Sequence, residues 1–378
     1  MPTRKKSPDS TTCSLAQKVA ALSQPQIYGA AGSEVTVLET HMSFVFLAGD
    51  KAYKLKKSVR LPYVDFSTID KREDACRQEL SLNRRLAPGV YLAVSPLCVV
   101  DGKFSIGGAD DAVVDWLVVM RRLNRDDTLE HALAEGHVKP AWVARIERLL
   151  LRFYRRARTA RLTHIRNIPE WHRLLRANQD VLLRREFAIP AASILAIGRA
   201  QRLFLDRCVS LMTARRQDGR IVDGHGDLRP EHVFVNATIS IIDCLEFSDG
   251  LRAIDPFEEI ACLAVECERY GQDWIGAQLF RRMALSLPVP PPEALIAFYK
   301  SYRAALRARL CLAHLLDPHP RTPEKWRPLA LVYVAIARKE SAKLLQTVTA
   351  RQDHPSPGPR AVGQWRRRKA RQKESRRS

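Results

Sequence analysis

The segment Val222–Pro256 reads VDGHGDLRPEHVFVNATISIIDCLEFSDGLRAIDP and contains the pattern that identifies the fold. Two short β-prone runs, Val233–Val235 and Ile239–Ile242, flank the residues Asn236, Ala237 and Thr238. Runs of this kind on either side of a turn predict an antiparallel hairpin. Such a hairpin would give rigid support to the side chains at its open end.

Polar side chains stand at that open end. His225, Asp227, Arg229 and His232 precede the first run, and Asp243 follows the second. If Ala237–Thr238 form a two-residue turn, His232 lies opposite Asp243, and opposed residues have Cβ atoms about 5 Å apart. We therefore expect Asp227, His232 and Asp243 to converge, in an arrangement that suits a metal ion and a reacting hydroxyl.

Composition narrows the class of protein. The chain has 378 residues, 46% of them hydrophobic, and a formal net charge of +21. It shows no apolar run long enough for a membrane span and no signal-peptide pattern. Its cysteines form no C-x-x-C motif, so we expect reduced thiols and a cytoplasmic location. The net charge favours anionic partners, or reflects a generally Arg-rich composition. The segment 243–268 is instead rich in acidic residues, which favours a cation there.

Upstream of the hairpin the pattern predicts a small sheet. Gly49-Asp50 predicts a two-residue turn between two of its strands. A helix with Ser67 as its N-cap follows, and the long segments 124–220 and 292–348 show helical periodicity. The expected strands and the helix are Glu34–Thr40, Ser43–Ala48, Lys51–Lys56, helix Ser67–Leu86, Val90–Val100 and Val113–Met120.

The sequence HGDL at 225–228, followed by a strand, a turn, a strand and Ile242-Asp243, resembles the catalytic and metal-binding segments of the aminoglycoside phosphotransferase family. The stretches ETHMSFVFL (39–47), AYKLKK (52–57) and RQELSLNRRLAP (77–88) resemble one uncharacterised bacterial branch, some members of which are fused to a P-loop kinase domain. The resemblance covers roughly 26–270. No G-x-x-x-x-G-K-[ST] motif of such a P-loop occurs in this chain.

The resemblance implies an α+β, protein-kinase-like fold with a small β-rich N-terminal lobe and a larger helical C-terminal lobe. The expected divisions are a flexible basic lead-in (1–25), a nucleotide-binding lobe (26–121), a catalytic and substrate lobe (122–350) and a disordered basic tail (351–378).

The resemblance also implies a nucleotide site in the small lobe. Lys54 would hold the nucleotide phosphates and Ala52 would lie under the adenine. Glu79, with Glu73 as the alternative, would form the ion pair that positions Lys54. Lys56, Lys57 and Arg60 are expected to be solvated.

Two further segments complete the expected nucleotide site. The loop 39–43 stands where kinases carry a glycine-rich loop, so Thr40 and Ser43 either contact phosphate or form a plain β-turn. The segment 118–123, with Val119 and Met120, would be the hinge whose backbone meets the adenine edge.

In the large lobe the resemblance implies phosphoryl-transfer chemistry. Asp227 would accept the proton of the acceptor hydroxyl, and Asp243 would hold Mg²⁺. His225 would pack and hold the loop, while Arg229 would contact a phosphate or pair with a carboxylate. Downstream, Asp255 is expected to be a helix N-cap, with Glu259 and Glu266 away from the buried stripe of that helix.

One position departs from the family pattern. His232 stands where the family usually has a metal-binding Asn, and imidazole is a better ligand for transition metals than for Mg²⁺. Either Asp243 and Glu246, the nearest second carboxylate, hold the metal, or only one Mg²⁺ binds, or catalysis is lost. Mn²⁺ is an alternative to Mg²⁺.

Two functions follow as hypotheses. The first is an ATP-dependent small-molecule kinase that phosphorylates an acceptor hydroxyl. The alternative is a catalytically impaired pseudokinase, a nucleotide-binding or regulatory module whose basic tail contacts nucleic acid or another polyanion.

Overall fold

The computed structural model describes residues 13–31, 34–61, 64–108, 112–318, 320 and 322–350. The basic tail at 351–378 and the first twelve residues of the lead-in lie outside the described residues. The strands are β1 Val35–Glu39, β2 Ser43–Ala48, β3 Lys51–Lys56, β4 Arg60–Leu61, β5 Val64–Asp65, β6 Tyr91–Val100, β7 Lys103–Ile106, β8 Val113–Arg121, β9 Val222–Asp223, β10 Val233–Phe234, β11 Ser240–Ile241 and β12 Ala253–Ile254.

The helices follow the same division into a β-rich first part and a helical second part. They are α1 Leu15–Leu22, α2 Ile69–Asn83, α3 Leu129–Ala134, α4 Pro140–Arg156, α5 Ile168–Leu182, α6 Ala191–Arg207, α7 Val209–Gln217, α8 Asp249–Arg252, α9 Pro256–Glu268, α10 Asp273–Ser286, α11 Glu293–Ala313 and α12 Pro323–Ala350. Among these helices, none combines the length and the apolar composition that crossing a bilayer requires.

The small lobe is an antiparallel six-stranded sheet in the order β1-β2-β3-β8-β6-β7. Ala48 pairs with Lys51, so Gly49-Asp50 forms the predicted two-residue turn, and Gly49 takes the positive φ (57°) that such a turn needs. Side chains alternate between the two faces of the sheet. One face packs on the α1 side around Leu22, Phe46 and Leu55, and the other faces α2 and the large lobe.

Helix α2 is shorter than expected at both ends. Its N-cap is Thr68, whose hydroxyl accepts from the backbone N of Lys71, and not Ser67. The helix ends at Asn83, because the next residues turn toward β6. The prediction of this helix was therefore right in kind and wrong in its boundaries.

The hairpin of β10 and β11 is present, but its register differs from the prediction by one residue. Val233 pairs with Ile241 and Phe234 with Ser240. The turn therefore contains three residues and not two, and His232 stands opposite Ile242, whose backbone N donates to the His232 carbonyl at 3.0 Å. His232 and Asp243 remain neighbours at the open end, but they are not a directly opposed pair.

Helix α9 forms the centre of the large lobe. Twelve of its residues, from Pro256 to Cys267, are buried, and α10 and α11 pack against it. Asp255 caps the helix as predicted, since its side chain accepts from the backbone N of Phe257. Glu259 and Glu266 were expected to lie away from the buried stripe, facing substrate or water, but both are fully buried. Apolar periodicity located one buried stripe, whereas neighbouring helices enclose α9 on all sides.

Candidate active site

A cleft of about 490 Å³ separates the small sheet from the hairpin. Both lobes contribute to its walls: the β1–β2 loop, β3 and the end of β8 on one side, and the hairpin with the segment after it on the other. The lining includes Thr40, Met42, Ser43, Val45, Ala52, Lys54, Phe66, Val90, Tyr91, Met120, Leu123, His232, Phe234, Ile242, Asp243, Leu245, Glu246 and Phe247. Most of the residues expected to contact a nucleotide therefore meet in one apolar cleft with a charged end.

The charged end is built on Lys54. Its Nζ lies 2.8 Å from Glu79 Oε1 on α2 and 3.6 Å from Asp243 Oδ1. The predicted ion pair with Glu79 is thus present, while Glu73 pairs with Arg77 on the exposed side of the helix. Burial opposes the charges of both groups. The two lysines nearby nevertheless hold the pKa of Glu79 below its ordinary value, and the carboxylates raise the pKa of Lys54 well above its own.

Lys56 contradicts its prediction as a solvated residue. Strand alternation places it on the same face of β3 as Lys54, and its side chain is 1% exposed. Its Nζ lies 2.6 Å from Glu79 Oε2 and 2.5 Å from Glu246 Oε1. A fully buried ammonium is stable only when carboxylates surround it, and these two supply that environment. Glu246 is therefore paired with Lys56 and is not a free carboxylate; its expected role as a second metal ligand stays a prediction.

Asp243 occupies a strained backbone position with φ of 63°, a region that non-glycine residues rarely adopt. Its backbone N approaches the Tyr91 hydroxyl at 3.3 Å, and its side chain is half exposed to the cleft. The site desolvates the carboxyl, but Lys54 and then His232 and His225 outweigh that effect and hold its pKa well below the ordinary range. Asp243 is therefore a carboxylate over the whole neutral range.

The loop before the hairpin holds Asp227. Glu259 Oε1 accepts from the backbone N of His225 at 2.9 Å and of Gly226 at 2.6 Å, and its other oxygen accepts from the Tyr154 hydroxyl. Gly226 has φ of 89°, which a side chain would oppose. The Asp227 side chain is one-third exposed and its Oδ2 lies 3.9 Å from Nδ1 of His232, a residue that lines the cleft.

His225 orients the same loop from inside. It is fully buried, its Nε2 lies 2.8 Å from the Ile242 carbonyl, and its Nδ1 accepts from the backbone N of Asp227 at 3.3 Å. These partners suit a neutral ring with the proton on Nε2. Burial, with a smaller contribution from His232, lowers the pKa of His225 from 6.5 to about 4. The predicted structural role of His225 agrees with these contacts.

His232 stands between Asp227 and Asp243. Its Nδ1 lies 2.9 Å from the Asp227 carbonyl, and its Nε2 lies 3.5 Å from Asp243 Oδ2. A backbone carbonyl can only accept, so the Asp227 carbonyl fixes a proton on Nδ1, and Nε2 faces the Asp243 carboxylate. This is the arrangement of many metal-binding histidines, in which the second nitrogen donates to a carbonyl.

Arg229 pairs with carboxylates. Its guanidinium contacts Glu231 and lies 3.8 Å from Asp227 Oδ2. Of the two alternatives left open for Arg229, the structure shows the carboxylate contact.

The residues predicted to contact a nucleotide do not all line the cleft. Thr40 and Ser43 line the cleft, but the Thr40 hydroxyl is already bonded to the backbone of Ser43, so the loop is a closed β-turn. Ala52 and Met120 also line the cleft. Val119 does not line the cleft. It is adjacent to Met120 in β8, so its side chain lies on the opposite face of the sheet, in the core around Leu117. The interlobe connection accordingly begins after Arg121.

The described residues contain no group of three or more His, Cys, Asp or Glu side chains arranged to hold a metal. Asp243 and His232 offer one oxygen and one nitrogen from the protein. A divalent cation at this point would need its remaining ligands from phosphate oxygens and water, which is usual for Mg²⁺ beside a nucleotide. The donor set thus fits a metal that enters with a nucleotide.

Sequence reasoning missed Lys56 and Glu259 as parts of this site. The K-x-K spacing in β3 signalled that Lys56 shares the face of Lys54, but nothing local indicated that a glutamate from another lobe would reach it. For Glu259 the nearby Asp255 cap was the only signal, since it fixes the start of α9 under the loop.

This fold and site define a class of protein: a two-lobe, protein-kinase-like chain with a cleft between lobes. A choline/ethanolamine kinase family protein from Mesorhizobium loti has a similar structure, with a TM-score of 0.51 and 14% identity over 89% of this chain and 98% of that one. The GDP complex of aminoglycoside 2′-phosphotransferase-IIIa superposes with a TM-score of 0.45 and 16% identity, over 87% of this chain and 98% of that one. The similarity to the Mesorhizobium loti structure confirms the predicted kinase-like fold.

In sequence the chain is similar to uncharacterised proteins of Mycobacterium tuberculosis H37Rv and Mycobacterium bovis. Each is 33% identical over 286 residues, which is 73% of this chain and 54% of the relative. The chain therefore spans about half the length of the curated relatives it matches. No protein-family model matches it.

Proposed function

We propose that the chain is an ATP-dependent phosphotransferase that transfers the γ-phosphoryl group to a hydroxyl of a small molecule. The observation that carries this proposal is the pair of Lys54 and Glu79 facing Asp243 across one cleft. Phosphoryl transfer needs positioning and charge neutralisation more than covalent chemistry, and a buried lysine beside an ionised aspartate provides both.

Each residue has a role in this proposal. Lys54 binds the α/β-phosphates, while Ala52 and Met120 contact the base. Asp243, with His232, would hold Mg²⁺ or Mn²⁺, which neutralises phosphate charge when bound. Asp227 accepts the proton of the acceptor hydroxyl and orients its oxygen, a contribution of about 10²–10⁴-fold in rate. The solved structures similar in fold, kinases of choline or ethanolamine and of aminoglycosides by their titles, agree with a small hydroxyl-bearing acceptor.

A thermal-shift series tests the nucleotide part of this proposal. ATP, GTP and AMP-PNP with Mg²⁺ or Mn²⁺ should stabilise the wild type, since a ligand that binds only the folded state raises its stability. Lys54→Met should abolish the shift, whereas Lys51→Met, an exposed lysine on the same strand, should keep it. A screen of hydroxyl metabolites for ATP-dependent phosphorylation then identifies the acceptor. Equal shifts for both variants would contradict the assignment of the site.

The pseudokinase alternative is favoured by one observation, the replacement of the usual metal-binding Asn by His232 beside Asp243. It predicts nucleotide-dependent stabilisation without turnover of any acceptor. The basic tail at 351–378 would then contact a polyanion, and that affinity should fall steeply with salt.

A further inference from the structure

The side chain of Lys56 is the least exposed cation at the charged end of the cleft. Its ammonium is 1% exposed and lies 5.0 Å from the centre of the Phe66 ring. Taking a lysine so completely out of water is unfavourable by several kcal/mol unless carboxylates compensate it. A lysine this deeply buried does not contribute to solubility, and its partners indicate a structural role instead.

Those partners belong to different lobes. Glu79 lies on α2 of the small lobe, whereas Glu246 follows the hairpin of the large lobe. Lys56 therefore joins β3, α2 and the segment after Asp243 through one ammonium group.

The contacts also close a ring. Asp243 contacts Lys54, Lys54 and Lys56 bind the two oxygens of Glu79, and Lys56 binds Glu246. Glu246 is three residues after Asp243, so the backbone completes the circuit. The position of Asp243 relative to Lys54 is fixed twice: directly at 3.6 Å, and indirectly through Lys56.

We propose that Lys56 is a positioning residue that ties the segment 243–249 to the small lobe and so sets Lys54 and Asp243 at the spacing a nucleotide needs. This inference rests on the proposed nucleotide-binding function. Lys56 is too deeply buried to contact a phosphate itself.

The charge balance shows the consequence of removing it. The ring holds two ammonium groups and three carboxylates. Without Lys56, Lys54 alone faces all three carboxylates, and the site becomes more repulsive to phosphate. Glu79 would keep only Lys54 as a partner, and Glu246 would lose the lysine that it contacts. Buried carboxylates with too few cations destabilise the fold.

Four variants separate positioning from simple stability. Lys56→Met should lower thermal stability and weaken AMP-PNP·Mg²⁺ binding. Lys56→Met/Glu246→Gln removes one cation and one anion together, so stability should recover. Its nucleotide affinity should remain about tenfold below wild type, a coupling in the usual range for contacting residues. Glu246→Gln alone should show the same loss of affinity, and Lys51→Met is the control.

A second measurement needs no nucleotide. In the ligand-free double variant, amide hydrogen exchange in the segment 243–249 should be faster than in wild type, while exchange in α9 stays unchanged. A double variant that recovers stability and also shows wild-type nucleotide affinity and wild-type exchange in the segment 243–249 would overturn the inference. If wild type binds no nucleotide with any divalent ion, the proposed function fails, and the exchange experiment alone then decides whether Lys56 tethers the segment.

Discussion

Protonation of His225 should lower the free energy of unfolding of this protein in mild acid, and the structure gives the size of the effect. The ring is fully buried, it donates from Nε2 to the Ile242 carbonyl, and it accepts from the backbone N of Asp227. A proton on Nδ1 would remove that acceptor and place a charge in the core. The folded state therefore disfavours protonation, and the pKa falls from 6.5 to about 4.

The sign and size follow from proton linkage. Between the two pKa values the unfolded chain binds more protons than the folded one, so stability rises with pH. The contribution of His225 is complete above about pH 6.5, the unfolded pKa, and is lost as pH falls toward the folded pKa of about 4. From about pH 7.5 to about pH 5 the loss amounts to about 2 kcal/mol.

The assay is urea unfolding of wild type and His225→Gln, followed by tryptophan fluorescence across that pH range. Glutamine keeps one donor and one acceptor but does not titrate, and groups remote from His225 contribute equally in both proteins. The stability difference between the proteins should change by about 2 kcal/mol over this range. Parallel curves, with a difference that does not change with pH, would refute the reasoning.

Three further outcomes are expected. Asp227→Asn should lower turnover by about 10²–10⁴-fold and leave nucleotide-dependent thermal stabilisation intact; unchanged turnover would remove Asp227 from the mechanism. His232→Asn should shift the metal preference from Mn²⁺ toward Mg²⁺, which titration of activity or of nucleotide affinity with each metal measures; identical preferences would show that His232 is not a ligand. Gly224→Ala should destabilise the fold by about 1–3 kcal/mol, because its Cβ would lie 2.5 Å from Ile254 Cγ2 and 3.0 Å from both Glu259 oxygens; an unchanged urea midpoint would contradict this.

The small lobe was largely predictable from sequence. Alternation and the Gly49-Asp50 turn located β2 and β3, and strand period placed Lys54 and Lys56 on one face. The same period places the Val119 side chain on the face away from the cleft, and its expected backbone contact with the adenine edge stays a prediction. The Lys54–Glu79 pair came from the family resemblance, because spacing alone does not distinguish Glu79 from Glu73.

The large lobe shows where local patterns stop being informative. The hairpin was expected, but a turn of two or three residues could not be distinguished from Asn236, Ala237 and Thr238. The burial of Lys56 depends on a glutamate 190 positions away. Contacts of this kind are set by how lobes pack, and no periodicity within one segment encodes them.

The left-handed backbone at Asp243 has a consequence for how this chain can change. A φ of 63° disfavours any residue with a Cβ by about 1 kcal/mol relative to glycine. Asp243→Gly should relax the backbone, but it also removes the carboxylate that pairs with Lys54. Because the pKa of Asp243 is lowered in the folded state, that charge stabilises the fold at neutral pH. Backbone strain and ion pairing are therefore opposed at this one residue, and the charge of the aspartate compensates for the conformation it adopts.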